Sequence, residues 1–278
     1  MDFYTQLSYF YDDLFPVEPS ILHFLIDTFS SSQRILDVAC GTGTYAISLL
    51  VEGKDVGGID LSLPMIEQAR GKLRDLQART SPPEGARLSA ENTSISPQPG
   101  RAFSNQAAAD LFQVGDMRDL SRFPPESFQG LYCIGNSLPH LETGTEIRTA
   151  LAQFYRVLEP GGILLLQTIN FDRVRFVTGT GIVNESRFSL PSLQGKRAEL
   201  VRYYTTGPDP DHINFESELC LPKGQRLKSR VPLFFLTRNK LQELLQDAGF
   251  TPQTWYGSYE GTPHDPESSF LSIVTSRR

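Results

Sequence analysis

The sequence is poor in cysteine, and its few metal-binding side chains are scattered. Its three cysteines, Cys40, Cys133 and Cys220, are far apart and form no CxxC pair. The four histidines show no spacing typical of metal ligands, either with each other or with the cysteines. These spacings do not indicate a disulfide framework. We therefore expect no metal site and a reducing compartment, most simply the cytoplasm.

The sequence also lacks long apolar runs and an excess of positive charge. No apolar run approaches the roughly 20 residues that a membrane span requires. The first residues, MDFYTQLSYFYDDLFP, lack the basic and apolar regions of a signal peptide. The 26 Lys and Arg residues are outnumbered by 32 Asp and Glu residues, which gives a net charge of -6. We therefore expect neither a membrane nor a nucleic acid as a partner.

The chain contains an alternation of strand-like and helix-like segments. RILDVAC and DVGGIDLS are typical of strands, and a helix-like segment follows each of them. A later apolar run, ILLLQTIN, is typical of a strand that is buried on both faces. This alternation predicts a three-layer α/β fold on a mostly parallel sheet. After Asn170, strand-like segments separated by GPDPD and PKGQ predict a small antiparallel sheet.

These patterns divide the 278 residues into four parts. Residues 1–33 are expected to form an aromatic segment and a helix that cover the site. Residues 34–170 are expected to form a Rossmann-like core, with a flexible Ser- and Pro-rich insertion at residues 78–108. Residues 171–236 are expected to form an antiparallel β lid, and residues 237–278 the last helix and two strands of the core.

A glycine motif, GTGTYA at residues 41–46, lies between the first strand and its helix. It satisfies the G-x-G-x-x-G/A pattern, in which a ligand binds at the carboxyl ends of the strands. A tight turn without a ligand is an alternative explanation of the motif. Asp60 ends the second strand, where a carboxylate can accept hydrogen bonds from both hydroxyls of a ribose. An acid at that position can also cap a helix, although Ser62 is available as the cap.

Polar side chains also follow the third and fourth strands. Asp116 and Met117 come just after a strand end, where an acid can accept from an adenine amino group and a thioether can lie on the ring. Asn136, Ser137 and His140 lie on the next loop and are expected to face the same crevice. Asp116 can instead begin a turn, and His140 can be a packed, hydrogen-bonded histidine. The occurrence of such groups at corresponding strand ends favours a binding site.

With these residues in view, the sequence resembles the class I S-adenosylmethionine-dependent methyltransferases. The resemblance rests on ILDVACGTGTYAISLLVEGKDVGGIDLS, GDMRDL and LEPGGILLL and spans about residues 34–170. It implies S-adenosyl-L-methionine as cofactor and a Rossmann-like seven-stranded sheet whose last strand is antiparallel. DVACGTG, CIGNSLPHL and INFD are similar to the glycine/sarcosine N-methyltransferase branch, in which an antiparallel lid follows strand five.

The motifs and the resemblance together imply a set of site residues. Asp37 would brace the glycine loop near the amino group of the cofactor, and Asn136 would lie near the substrate. Tyr4 and Tyr11 would offer aromatic faces or hydroxyls to a cation or an amine, or would only pack the N-terminal segment over the site. The cofactor-binding residues are Tyr4, Asp37, Ala39, Gly41, Gly43, Asp60, Leu61, Asp116, Met117, Ile134, Ser137 and His140. The catalytic residues are Asn136, His140 and Tyr11.

One departure from the branch concerns the methyl acceptor. The arginine that pairs with the substrate carboxylate in the branch corresponds to Ile169 in this chain. We therefore expect a small-molecule acceptor that is larger and less polar than glycine. It would be methylated on nitrogen or oxygen, and the resemblance favours an amine. Two other functions are compatible with the motifs, a non-catalytic protein that binds S-adenosylmethionine and a nicotinamide-dependent oxidoreductase. The oligomeric state has no signal in the sequence.

Overall fold

A computed structural model describes residues 3–80, 109–174, 182–189, 199–221 and 224–278. From residue 81 onward, the predicted insertion lies outside these residues. The helices are α1 (Phe3–Ser8), α2 (Tyr11–Leu14), α3 (Pro19–Thr28), α4 (Thr44–Val51), α5 (Leu63–Thr80), α6 (Gly144–Val157) and α7 (Arg238–Asp247).

The strands form two separate sheets. The large sheet consists of β1 (Arg34–Val38), β2 (Asp55–Asp60), β3 (Phe112–Val114), β4 (Phe128–Cys133), β5 (Leu158–Ile169), β10 (Thr251–Tyr256) and β11 (Leu271–Arg277). The small sheet consists of β6 (Ile182–Ser189), β7 (Glu199–Thr206), β8 (His212–Cys220) and β9 (Arg226–Phe234).

The strand order of the large sheet is β3-β2-β1-β4-β5-β11-β10. Strands β1 to β5 pair in parallel, whereas β11 runs antiparallel to both β5 and β10. This arrangement confirms the predicted seven-stranded sheet with an antiparallel last strand. Because β1 to β4 are parallel, their carboxyl ends lie along one edge of the sheet, where the candidate site residues follow them.

Helices cover both faces of the large sheet. Helices α3, α4 and α5 pack on one face through apolar side chains such as Leu25, Leu49 and Ile66. Helices α6 and α7 pack on the other face through side chains such as Ile147 and Leu241. Successive residues of each central strand point to opposite faces, so the almost continuous apolar runs in these strands bury both sides of the sheet.

Local signals explain most of the helix boundaries. The hydroxyls of Thr143 and Thr237 accept from backbone N–H groups in the first turns of α6 and α7, as expected for N-caps. For α6, the sequence TEIRTALAQFYRVLEPGG predicts a helix that is stopped by Pro160, Gly161 and Gly162. The helix ends at Val157 and β5 begins at Leu158, because Ser127 donates its N–H to the Val157 carbonyl.

The small sheet is antiparallel throughout, with the order β6-β7-β8-β9, and lies in sequence between β5 and α7. It confirms the predicted second sheet after strand five. Its Leu200 and Leu219 pack against Leu7 and Leu14 of the N-terminal helices. The small sheet and the N-terminal helices therefore share an apolar cluster, which is separate from the clusters around the large sheet.

Within the described residues, no helix is long and apolar enough to cross a membrane. No group of three or more His, Cys, Asp or Glu side chains is placed to hold a metal ion in the same part of the chain. The cytoplasmic location stays a prediction.

Candidate functional site

The loop after β1 contains three residues in the left-handed backbone region. The φ angles are 61° at Ala39, 54° at Gly41 and 72° at Gly43. A Cβ atom on Gly43 would lie 2.9 Å from Phe112 Cε1, whereas one on Gly41 would lie 3.7 Å from the ring of Tyr11. Gly43 is therefore required for packing of the loop against β3, whereas Gly41 faces the side on which a ligand can bind.

Asp60, at the end of β2, organises the backbone around this loop. Its Oδ2 atom accepts a hydrogen bond from the Gly41 N–H over 2.9 Å, and its Oδ1 atom accepts one from the Ser62 N–H over 2.8 Å. Burial raises the pKa of the carboxyl group, while the two backbone hydrogen bonds act to lower it. Each carboxylate oxygen retains a lone pair with which it can accept from a diol.

Asp37, inside β1, is buried next to Tyr132 of the neighbouring strand β4. The Tyr132 hydroxyl donates to Asp37 Oδ2 over 2.9 Å. Burial raises the pKa of Asp37 to about 8, although the bond from Tyr132 acts in the opposite direction. A positively charged group bound at this edge of the sheet would favour the ionised carboxylate.

The N-terminal helices lie over the glycine loop. The ring of Tyr11 faces Gly41, and burial raises its pKa to about 12, although the positive charge of Arg202 acts to lower it. The hydroxyl of Tyr11 is therefore neutral near pH 7. It can offer a hydrogen bond or a ring face, but it cannot act as a phenolate base.

A polar cluster next to Tyr11 holds α2 in this position. Thr42 and Thr44 donate their hydroxyl groups to Asp12 Oδ1 over 2.5 and 2.9 Å. Lys72 Nζ, from α5, lies 2.8 Å from Asp12 Oδ2 and within 3.1 Å of both threonine hydroxyls. We call these four residues the N-terminal clasp, because they connect α2, the glycine loop and α5.

The loop after β4 is held by one side chain and one backbone N–H of β5 and by its own turn. Gly135 donates its N–H to Gln167 Oε1 over 2.7 Å, and Asn136 accepts at Oδ1 from the Ile169 N–H over 3.0 Å. Gly135 and Asn136 have left-handed φ angles of 75° and 63°. Ser137 donates its hydroxyl to the Ile134 carbonyl over 2.8 Å. Since Asn136 already uses its amide oxygen, its amide N–H groups are the donors that it can offer to a ligand.

His140 ends a short 3₁₀ helix, Leu138–His140, which follows this loop. Its ring packs edge-on against Phe215 of the small sheet, with the ring centroids 6.5 Å apart. Desolvation lowers the pKa of His140, which favours the neutral imidazole near pH 7. It keeps access to solvent at the same time.

Asp116 and Met117, the predicted adenine contacts, follow β3, and each of them interacts with other parts of the protein. Asp116 accepts hydrogen bonds from the backbone N–H and the guanidinium group of Arg118, which hold its pKa below the usual value. Arg118 also pairs with Glu146 of α6. Met117 packs partly against the core, and Leu61, beside Asp60, is 72% exposed. An exposed leucine next to Asp60 provides an apolar surface on which a base could lie.

Most of the predicted site residues therefore lie along one edge of the sheet. Gly41 and Asp60 are joined by a hydrogen bond next to Tyr11, and Asp37 is close enough for the charge of Asp60 to raise its pKa. The loop containing Asn136 follows the adjacent strand β4. The helix α1 contains Tyr4, but the side chain of Tyr4 lies outside the part of the chain that the structure describes. The sequence analysis missed the N-terminal clasp and the residues Tyr132, Gln167 and Arg118.

Some of these missed residues left a signal in the sequence. The two hydroxyl residues inside the glycine motif are suited to bind a carboxylate, and the Asp-Asp pair at positions 12 and 13 follows the aromatic segment. The local pattern does not identify the partners, because Asp12 and Thr42 are 30 residues apart.

Comparisons with known proteins agree with this geometry. Residues 36–166 match the family model described as a methyltransferase domain. The glycine/sarcosine N-methyltransferase of Aphanothece halophytica is 27% identical over 257 residues, which cover 88% of this chain and 77% of that protein.

Two solved structures have folds similar to that of this chain. An S-adenosylmethionine-dependent methyltransferase from Clostridium acetobutylicum has a TM-score of 0.69 at 14% identity, covering 99% of this chain and 98% of that one. The amino pentose methyltransferase CalS10 of Micromonospora echinaspora, solved with S-adenosylmethionine bound, has a TM-score of 0.60 at 19% identity, covering 93% and 88%.

The fold and the matched domain define a class I S-adenosylmethionine-dependent methyltransferase, and this chain is such an enzyme. Its methyl donor is S-adenosyl-L-methionine. Its motifs are similar to those of the glycine/sarcosine N-methyltransferase branch. The nicotinamide-dependent oxidoreductase that the glycine motif also allowed is no longer a candidate.

Proposed function

We propose that this enzyme N-methylates a small-molecule amine, which binds between the edge of the large sheet and the small sheet. The observation that carries this proposal is the group formed by Gly41, Asp60 and Tyr11, with the Asn136 loop on the adjacent strand. The similar proteins support an amine as acceptor. The one from Aphanothece halophytica is a glycine/sarcosine N-methyltransferase, and the one from Micromonospora echinaspora is an amino pentose methyltransferase.

In this proposal the acids and glycines hold the methyl donor. Asp60 accepts hydrogen bonds from the ribose hydroxyls, and Gly41 lets the donor approach the backbone closely. Asp37, ionised in the presence of the donor, lies near its ammonium group. Asp116 and Met117 contact the adenine from the end of β3, and Leu61 contacts it from the end of β2.

The chemical step requires alignment more than acid or base catalysis. A sulfonium methyl group transfers to a neutral amine by in-line displacement, so orientation and exclusion of water supply most of the acceleration. Tyr11 closes the site and faces the cation with its ring. Asn136 orients the acceptor through its amide N–H groups. His140 is neutral near pH 7 and takes the proton that the methylated ammonium releases.

Ile169 limits the choice of acceptor. A carboxylate placed opposite this side chain would leave its charge uncompensated, at a cost of several kcal/mol. Glycine and sarcosine are therefore poor acceptors. A larger and less polar amine gains contacts with the small sheet.

A methyl-transfer screen tests this proposal. Amines, phenols and carboxylates are incubated with saturating S-adenosylmethionine, and release of S-adenosylhomocysteine is measured. We expect turnover of at least one amine and weak turnover of glycine. Binding of the donor without transfer to any acceptor would favour a non-catalytic binding protein. Efficient turnover of glycine would contradict the role assigned to Ile169.

A variant separates the role of Asn136 from donor binding. Asn136→Ala should lower kcat at least 10-fold and change the affinity for S-adenosylmethionine less than 3-fold, since its amide is assigned to the acceptor. Asn239→Ala, on the exposed surface of α7, is the control and should leave both quantities unchanged. Equal losses in both quantities would assign Asn136 to the donor instead.

A further inference from the structure

A cleft of about 560 Å³ lies between α3 and the end of β10 with the connection that follows it. We call it the flank cleft. Its volume is within the range of about 300–1,000 Å³ that is typical of small-molecule sites. The side chains that decide its chemistry are His23, Phe24 and Asp27 of α3, with Tyr256, Tyr259 and Glu260 on the other side. None of them is assigned to the methyl donor or the acceptor, so the cleft is a second candidate binding site.

The helix presents two different faces to its surroundings. Leu25 of α3 is completely buried in the core beside the large sheet. His23, Phe24 and Asp27 lie on the side of α3 that lines the cleft. His23 and Asp27 are exposed, whereas Phe24 is partly buried. The core therefore fixes the position of the helix and leaves this second face open to a ligand.

Three aromatic rings form the apolar part of the cleft. The ring centroid of Phe24 lies 5.1 Å from that of Tyr256 and 5.7 Å from that of Tyr259. The interplanar angles are 85° and 80°, so Phe24 is nearly perpendicular to both tyrosines. All three side chains are only partly buried. Rings that meet at right angles around one space present the geometry with which proteins bind quaternary ammonium ions.

Two carboxylates give the cleft its charge. Asp27 belongs to α3 and Glu260 to the connection after β10, so they approach the cleft from its two sides. Within the described part of the chain, neither of them forms an ion pair, and no lysine or arginine lines the cleft. The cleft therefore has a negative potential that a bound cation would balance.

The wall opposite α3 is held in place before any ligand binds. The Tyr259 hydroxyl donates to Gln167 Oε1 over 3.3 Å. The N–H of Gly257 donates to the Thr262 carbonyl over 2.8 Å, and the hydroxyl groups of Ser258 and Thr262 lie 2.9 Å apart. A wall that is already ordered loses little conformational entropy when a ligand binds.

The combination of rings and acids selects one class of ligand. An anion would be repelled by Asp27 and Glu260. A neutral apolar molecule would contact the rings but gain nothing from the carboxylates, and a small inorganic cation would remain hydrated. An organic ammonium ion uses both features, because its apolar groups contact the ring faces and its charge attracts the acids.

We infer that the flank cleft binds a small organic ammonium ion with methyl groups on its nitrogen. The N-methyl groups contact Phe24, Tyr256 and Tyr259, and Asp27 and Glu260 balance the charge. The inference goes beyond the proposed function, because it concerns residues outside the donor and acceptor sites.

Calorimetry with a matched pair of probes tests this inference. The protein is saturated with S-adenosylhomocysteine and titrated at low ionic strength with choline or with 3,3-dimethylbutan-1-ol, in which carbon replaces the charged nitrogen. The two probes have nearly the same shape, so a difference between them reports on the charge. We expect choline to bind about 10-fold more tightly, as several cation–π contacts and two nearby carboxylates provide.

Variants assign this preference to the cleft. Asp27→Asn combined with Glu260→Gln should weaken choline binding at least 5-fold and leave the neutral probe within 2-fold. The control combines Glu52→Gln with Asp55→Asn, which removes the same charge from exposed positions elsewhere and should retain the preference. Phe24→Leu should reduce the preference at least 3-fold. The acidic pair carries the test by itself if Phe24→Leu fails to fold.

The outcomes separate this inference from the proposed function. Choline that binds no more tightly than its neutral isostere overturns the inference. A preference that survives without both carboxylates also overturns it, because choline would then bind elsewhere, and so does an equal loss in the charge control. Failure of the methyl-transfer screen would contradict only the proposed function, since choline binding is measured without turnover.

Discussion

The backbone N–H of Gly41 donates to Asp60 Oδ2 over 2.9 Å, and this bond joins the loop after β1 to the end of β2. The same carboxylate holds the N–H of Ser62 at the start of α5. Asp60 therefore has two functions in the proposed site. It shapes the backbone that receives the donor, and it presents its remaining lone pairs to the ribose.

Replacement of Asp60 should affect both functions. Asp60→Ala is expected to weaken S-adenosylmethionine binding about 30- to 150-fold, because charge-assisted contacts worth about 2–3 kcal/mol are lost. The free energy of unfolding should fall by about 1–3 kcal/mol, since two backbone N–H groups lose their partner. Calorimetry and urea unfolding measure the two effects. Asp55→Ala, at the exposed start of the same strand, is the control. Unchanged donor binding in a folded Asp60→Ala protein would remove this residue from the site.

The two glycines of the loop should respond differently to alanine. Gly43→Ala places a methyl group 2.9 Å from Phe112 in a left-handed backbone, so we expect the free energy of unfolding to fall by more than about 2 kcal/mol. Gly41→Ala has space for the methyl group and adds only backbone strain of about 1–2 kcal/mol. In Gly41→Ala, the loss of binding free energy for S-adenosylmethionine should exceed the loss of unfolding free energy. Urea unfolding and calorimetry on both variants check this order, and a larger loss of stability for Gly41→Ala would contradict it.

The N-terminal clasp should slow the exchange of the donor. Lys72→Met removes the cation that lies 2.8 Å from Asp12. The side chains of Asp12 and Lys72 are 42% and 31% exposed, so solvent screening limits the loss of stability to about 0.5–1 kcal/mol. The dissociation rate of S-adenosylmethionine should rise about 3- to 10-fold, since α2 is held less firmly over Gly41.

Stopped-flow displacement of the donor measures that rate, and hydrogen exchange over residues 3–15 reports on the helices. Asp13→Asn changes the neighbouring exposed acid and should leave both unchanged. The effect of the clasp should shrink in high salt, because partly exposed ion pairs are screened. Unaltered exchange in Lys72→Met would show that the clasp does not control the segment.

Asp37 should make the stability of the ligand-free protein depend on pH. Its pKa is raised from 3.8 to about 8 by burial, so the folded protein keeps a proton that the unfolded chain releases above pH 4. The free energy of unfolding should therefore fall as pH rises from about 4 to 8, by up to about 1.4 kcal/mol per pH unit. Urea unfolding at pH 5, 6, 7 and 8 measures the slope.

Asp37→Asn should reduce this slope, because the amide oxygen can still accept from Tyr132 but no longer titrates. Part of the slope should remain, since burial also raises the pKa of Asp60. Affinity for S-adenosylmethionine should increase with pH over the same range, as the ionised Asp37 faces the ammonium group. A slope that is identical in Asp37→Asn would assign the pH dependence to other groups.

Much of the fold follows from local patterns in the sequence. The period of apolar residues distinguishes strands from helices, and Thr237 or Gly53 marks where helices start or end. These signals depend only on backbone geometry within one or two turns. They were sufficient to predict the seven strands of the large sheet and the presence of the second sheet. At the end of α6, the local sequence pattern was not sufficient to place the boundary between helix and strand. The end of α6 was set by pairing of Val157 with Ser127, which lies 30 residues earlier in the chain.

The candidate site, too, was predicted in part from local sequence patterns and decided in part by contacts between distant residues. The glycines at 41 and 43 and the acid at 60 were evident from the sequence, because strand ends and turn residues have local signatures. Only the tertiary structure separated the packing role of Gly43 from the more open position of Gly41, which faces the ring of Tyr11. Only the tertiary structure brought Asp12 to Thr42, because such contacts depend on how distant elements pack.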